Sequence, residues 1–188
     1  IALRNQLRAP GAFAAVRKLP NTHHELINRT ALAVASREAG DYLIEQLPRL
    51  KGDPTPIIRH AARHASSTSI NLLPPFVKRQ FAKQPGEQAK LFRAIHEGNR
   101  LRDEHLPNSV RAWGGRLAER LLTGTDSGNR SAVRQRAGAE IARDLKLTNV
   151  TGHLRKLTVD TGADTAARVA AVQAVAFTQP PVDVVPLM

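Results

Sequence analysis

The chain contains no cysteine. This excludes disulfides, thiolate metal sites, covalent c-type haem attachment and a cysteine nucleophile within its 188 residues. Aromatic residues make up only 4%, with a single tryptophan, Trp113, too few to line a groove with stacking rings. No apolar run approaches the length of a membrane span, and no signal peptide stands at the start. No segment alternates polar and apolar residues with period two over a useful length, so strands are not expected. There is no phosphate loop, no nucleophile elbow and no convincing pair of carboxylates, so no enzymatic activity or cofactor is read for this segment. The first residue is Ile1 and the only methionine is Met188, which leads us to expect a part of a longer or processed protein.

Acidic residues are also short. Lys and Arg number 28 against 16 Asp and Glu, a formal charge of +12. The surplus is uneven: residues 51–150 carry 18 basic and 9 acidic side chains, whereas residues 151–188 carry 3 of each. Such a field favours polyanions such as nucleic acid or anionic lipid. The plainer reading is a solvated, arginine-rich helical surface, because the basic residues form no concentrated run.

What the chain does have is helical punctuation. Proline, glycine and asparagine recur every 15–25 residues, and helical patterns fill the gaps. The spacing predicts helix pairs over 3–18 and 22–37, 41–50 and 55–67, 71–84 and 86–99, 107–123 and 130–145, and 148–159 and 164–177. The stretch Thr123 to Asn129 reads as a flexible connector, and Gln179 to Leu187 as the opening of a further helix.

One of these segments sets the pattern. Gly52-Asp53-Pro54-Thr55-Pro56 is a turn that leads into a helix whose inner stripe is small, with Ala61, Ala62 and Ala65. The same arrangement returns from Gly162 to Ala174, with Ala170, Ala171 and Ala174, and more loosely from Ser131 to Ala139. Small residues let neighbouring helices approach closely, and a repeated unit of this kind buries its faces only by stacking. The fold expected is therefore all-α: a right-handed α-solenoid of about five helix pairs, forming one domain over residues 1–188.

At these residues the chain resembles HEAT-repeat proteins, whose second helices carry an Asp in the turn and a Val/Ile-Arg pair six residues later. Asp53, Ile58 and Arg59 match that spacing. Val133-Arg134 matches the pair with Gly128 in place of the Asp, and Arg168 follows Ala167 with Asp164 only four residues upstream. The resemblance implies that Asp53, Arg59, Arg134 and Arg168 form a structural ladder between the turns of adjacent repeats. A narrower resemblance rests on Gln88 to Gly98 and Ala112 to Ala118. These look like the helical segment of large planctomycete-type proteins that join a sugar-dehydrogenase-like propeller, HEAT repeats and a c-type cytochrome. That likeness implies a connecting solenoid of an exported, periplasmic redox protein; without it, the expected compartment is the cytoplasm.

The expected function is a non-catalytic scaffold that holds a protein partner or neighbouring domains of the same chain. The alternative is a solenoid whose second-helix arginines, Arg59, Arg63, Arg134 and Arg136, line an inner groove for a phosphate backbone. His60 and His64 stand one helical turn apart and could chelate a transition metal. The sequence signals no third ligand, and Arg59 and Arg63 disfavour a cation, so the pair is expected on a solvent face and no metal is assigned. Trp113 with Gly114-Gly115 is expected as core, the glycines making room for the ring.

Overall fold

In the computed structural model, residues 2–102, 104–124 and 129–178 are described, and among them there are helices and no strands. The connector over 125–128 and the C-terminal stretch from 179 lie outside the described residues. The helices gather into two compact units, one comprising residues 1–82 and 90–110, the other 83–89 and 111–188.

In the first unit, the helix expected over 3–18 is two, α1 (Ala2–Leu7) and α2 (Ala12–Val16). Pro10 and Gly11 divide them. Gly11 adopts φ 74°, a left-handed conformation that glycine enters without a Cβ penalty. Helix α3 spans His24–Ala31, shorter than expected, because the chain turns through Leu32 to Ala35 and restarts at Ser36. The Ser36 hydroxyl accepts the Ala39 amide at 3.2 Å and so opens α4 (Arg37–Gln46).

Helix α5 (Thr55–His64) stands where the organising segment was expected. It is followed by the single turn α6 (Ser67–Ile70), capped by Ser66, and by α7 (Leu73–Gln80), with Pro74 tolerated in its first turn. Helix α8 (Pro85–Arg100) supplies its first residues to the second unit and the rest to the first.

Two glycines set the packing around α5. A methyl group on Gly98 of α8 would stand against the Arg59 carbonyl and 2.8 Å from the Ala62 side chain. One on Gly40 of α4 would meet the Ala65 amide and lie 2.7 Å from its Cα. Glycine on one helix and alanine on the other thus bring α5 close to both α4 and α8. The remaining interior is filled by Phe13, Tyr42, Leu43, Ile58, Leu73, Leu91, Phe92 and Ile95, all fully buried.

The second unit contains most of α9 (Asn108–Thr123) together with α10 (Asn129–Leu145), α11 (Thr151–Val159) and α12 (Thr165–Thr178). Trp113 is buried, as expected. Helix α10 ends in a left-handed turn with Lys146 at φ 53°, where Leu147 donates its amide to Ala142 O at 2.9 Å and Lys146 to Arg143 O at 3.1 Å. Helix α12 packs on both α10 and α11. Their shared core joins Ala139, Ala142, Val150, Leu154 and Leu157 to Ala170, Ala171 and Ala174.

Candidate functional site

Helix α5 carries most of the residues that the sequence singles out. Its start is fixed by Asp53, whose carboxylate accepts the Thr55 amide at 3.0 Å and the Thr55 hydroxyl at 2.5 Å. These hydrogen bonds, with a further contribution from Lys90 at 3.0 Å, hold the Asp53 carboxyl down at a pKa of about 2. At the other end, the largely buried Arg102 donates to the Ala65 carbonyl and binds Glu104 at 2.8 Å. A cation at a helix C-terminus is favourably placed against the exposed carbonyls.

Ile57, Ile58, Ala61 and Ala62 form the buried stripe of α5, which leaves Arg59 and Arg63 exposed. Arg59 reaches Glu97 on α8 at 3.0 Å, just as Asp53 reaches Lys90 on the same helix. The Arg63 side chain makes no ion pair or hydrogen bond among the described residues.

His60 and His64 differ from the expected solvent face. Both are half-buried, and their ring centroids lie 4.7 Å apart. The turn after α3 reaches His60, whose Nε2 stands 3.2 Å from the Val34 carbonyl, so it carries the proton and donates. Burial, reinforced by His64 and Arg63, pushes the His60 pKa down to about 4. Burial also lowers that of His64, with Arg63 and Arg102 adding to the effect. The chemistry is that of two neutral imidazoles under a cationic field. Among the described residues, no group of three or more His, Cys, Asp or Glu side chains could hold a metal ion.

The other arginines singled out belong to the second unit. Arg134 is half-buried on α10, and Arg136 pairs with Glu140 one turn along the same helix at 2.8 Å. Arg168 on α12 is half-buried and donates from Nε to the Thr158 carbonyl at 3.3 Å.

The feature that sequence reasoning missed is the outer face of α12. A helix normally buries its large apolar side chains and exposes polar ones. Here the inward stripe is mostly small (Ala167, Ala170, Ala171, Ala174, with Val175 partly buried beside it), and three larger side chains point out, with Val169 50%, Val172 56% and Phe177 61% exposed. Val159, the last residue of α11, is 75% exposed. A hollow of ≈ 470 Å³ runs along α12, lined by Thr158, Thr165, Arg168, Val169, Val172 and Gln173. The signal was in the sequence: the fourteen residues of α12 contain one charged side chain, Arg168, and so no polar face.

Comparison of the chain with protein-family models, with curated proteins and with solved structures gave no match. Among the described residues, no helix is long and apolar enough to cross a membrane.

Proposed function

We propose that this chain is a non-catalytic helical scaffold that holds a protein segment on the outer stripe of α12. The observation that carries this reading is the inverted placement on α12, with four alanines inside and Val169, Val172 and Phe177 outside. Exposed apolar residues contiguous along one helix face mark interaction surfaces more often than isolated ones do. The occupant that fits is a helix with apolar side chains at helical spacing and a carboxylate for Arg168, the one charged group lining the hollow among the described residues. Such a segment can belong to a separate protein or to a neighbouring domain of the same one.

The finer topology follows the same reading. Helices α10 and α12 pack together although α11 lies between them in sequence, as the second helices of stacked HEAT-like pairs do. A right-handed solenoid of about five such pairs, and its place as a connector in a planctomycete-type redox protein, belong to this proposal.

The test is a selection of displayed helical peptides on the chain. Enriched sequences are expected to carry apolar residues at i, i+3/i+4 spacing with an Asp or Glu. Val172→Asp combined with Phe177→Ser should weaken their binding about tenfold or more, since each buried apolar side chain contributes ~1.5–3 kcal/mol. Binders that ignore the double variant would place the interaction elsewhere.

A second reading, polyanion binding, draws on the +12 charge and on Arg63, which has no partner among the described residues. A titration into labelled duplex DNA across salt concentrations separates the two. Phosphate neutralisation gives a log-log slope of about −0.9 per phosphate contacted. Arg59→Ala with Arg63→Ala should then weaken binding and flatten the slope; binding that is feeble at low salt leaves the charge as a solvated surface.

A further inference from the structure

The first unit contains a groove that the scaffold reading does not use, with one ladder residue, Asp53, on its rim. It has a volume of ≈ 970 Å³ and lies among α3, the turn after α4 and the start of α5. This is the upper end of the range in which small-molecule pockets occur. Its apolar surface comes from Leu32, Leu50, Pro56 and Ile57, and its cations are Arg29, Arg49 and Lys51.

The electrostatics of the groove are uneven in a useful way. Two acidic residues line it, Glu25 and Asp53, but Asp53 is already occupied by Thr55 and Lys90. The side chains of Arg29, Arg49 and Lys51 make no ion pair or hydrogen bond among the described residues. Three cations without carboxylate partners therefore stand around an apolar wall, with one uncommitted acid, Glu25, among them.

The wall itself is built. Gln46 is buried, and its side-chain oxygen lies 2.9 Å from His24 Nδ1, while His24 Nε2 lies 3.3 Å from the Leu19 carbonyl. Asn28, beside them, has a side-chain oxygen shut off from water with no donor. Turning that amide toward a bound N–H would relieve an unsatisfied buried acceptor.

We infer that this groove binds an organic monocarboxylate with an apolar body and an N–H donor, such as an N-acyl amino acid. The carboxylate would be held by Arg29, Arg49 and Lys51, which can engage it through charge-assisted and bidentate hydrogen bonds. The apolar body would lie against Leu32, Leu50 and Ile57, and the N–H would meet Asn28.

The test is an NMR titration of the ¹⁵N-labelled chain with N-acetyl-leucine. Saturable shifts are expected, confined to residues 24–32 and 46–57. N-acetyl-leucinamide, which lacks the carboxylate, and inorganic phosphate, which lacks the apolar body, should each bind about tenfold more weakly or worse. The same loss is expected for the Arg29→Ala, Arg49→Ala double variant, whose fold is checked by circular dichroism; both side chains are exposed. The inference is overturned if no saturable shift appears below about 10 mM, well weaker than ordinary ligand binding. It is equally overturned if phosphate binds as tightly as N-acetyl-leucine, or if the double variant binds unchanged.

Discussion

The closest approach in the first unit makes a sharp prediction. Gly98→Ala places a methyl group against the Arg59 carbonyl and 2.8 Å from the Ala62 side chain, with the Arg63 amide 3.2 Å away. Two of these three neighbours are backbone atoms of α5, which cannot rotate aside as a flexible side chain would. Overpacking of this kind costs ~1–3 kcal/mol, and backbone neighbours argue for the upper part of that range. Against it stands the gain of ~1 kcal/mol from replacing glycine by alanine inside a helix. The net expectation is a loss of about 1–2 kcal/mol, or about 2–8 °C in Tm for a chain of this length. Gly86→Ala, on the same helix, is the control: nothing lies within 4 Å of its added methyl group. There the change should be neutral or stabilising by up to ~1 kcal/mol. Urea denaturation followed by circular dichroism reads both. If Gly98→Ala were as stable as the parent chain, the intimate α5–α8 contact would not exist as described.

Two further variants probe single interactions. Lys146 occupies the left-handed position that ends α10, where an L side chain is disfavoured by ~1–2 kcal/mol and glycine is not. Lys146→Gly should therefore stabilise by about 0.5–1 kcal/mol after the greater unfolded-state entropy of glycine is deducted, as a raised urea midpoint. His60 titrates below its unfolded value, so the folded state stays neutral while the unfolded state takes up a proton. Stability contributed by its neutral form is complete above the unfolded pKa of about 6.5 and is lost as pH falls towards about 4. His60→Gln should flatten that limb of the stability-pH curve; an unchanged slope would mean that His60 is not desolvated.

The sequence made α5 legible because its signals are local. Asp53-Pro54-Thr55-Pro56 announces a helix start, and the alanine spacing identifies the face that accepts neighbours; Ala61, Ala62 and Ala65 are all fully buried. The same holds for Ala170, Ala171 and Ala174 on α12. Breaks carried by weaker signals were lost. Ser36 opens a helix with one hydroxyl contact, and no periodicity distinguishes it from the helix expected through that position. Pro10-Gly11 is a local break signal inside the stretch expected as one helix over 3–18, and it divides α1 from α2.

Pairing partners were harder still. Asp53 and Arg59 both engage α8, through Lys90 and Glu97, and nothing near them in the chain names those residues. The half-burial of His60 depends on Val34, 26 residues away. The groove is out of reach for the same reason: Arg29 and Arg49 come from separate elements that only the folded chain brings to one cavity.

The two glycine contacts on α5 also govern how its backbone can open. With Gly40 packed against Ala65 at its C-terminal end and Gly98 against Arg59, Ala62 and Arg63, the turns of α5 from Arg59 onward leave their hydrogen bonds only when α4 or α8 withdraws. Its amides near Ala62 and Ala65 should exchange with deuterium only through opening of the whole first unit. The short α1 and α2, joined through Pro10 and Gly11, should exchange through local fraying. Slow exchange is thus expected in a ten-residue helix, protected by the absence of side chains on its neighbours rather than by its own length.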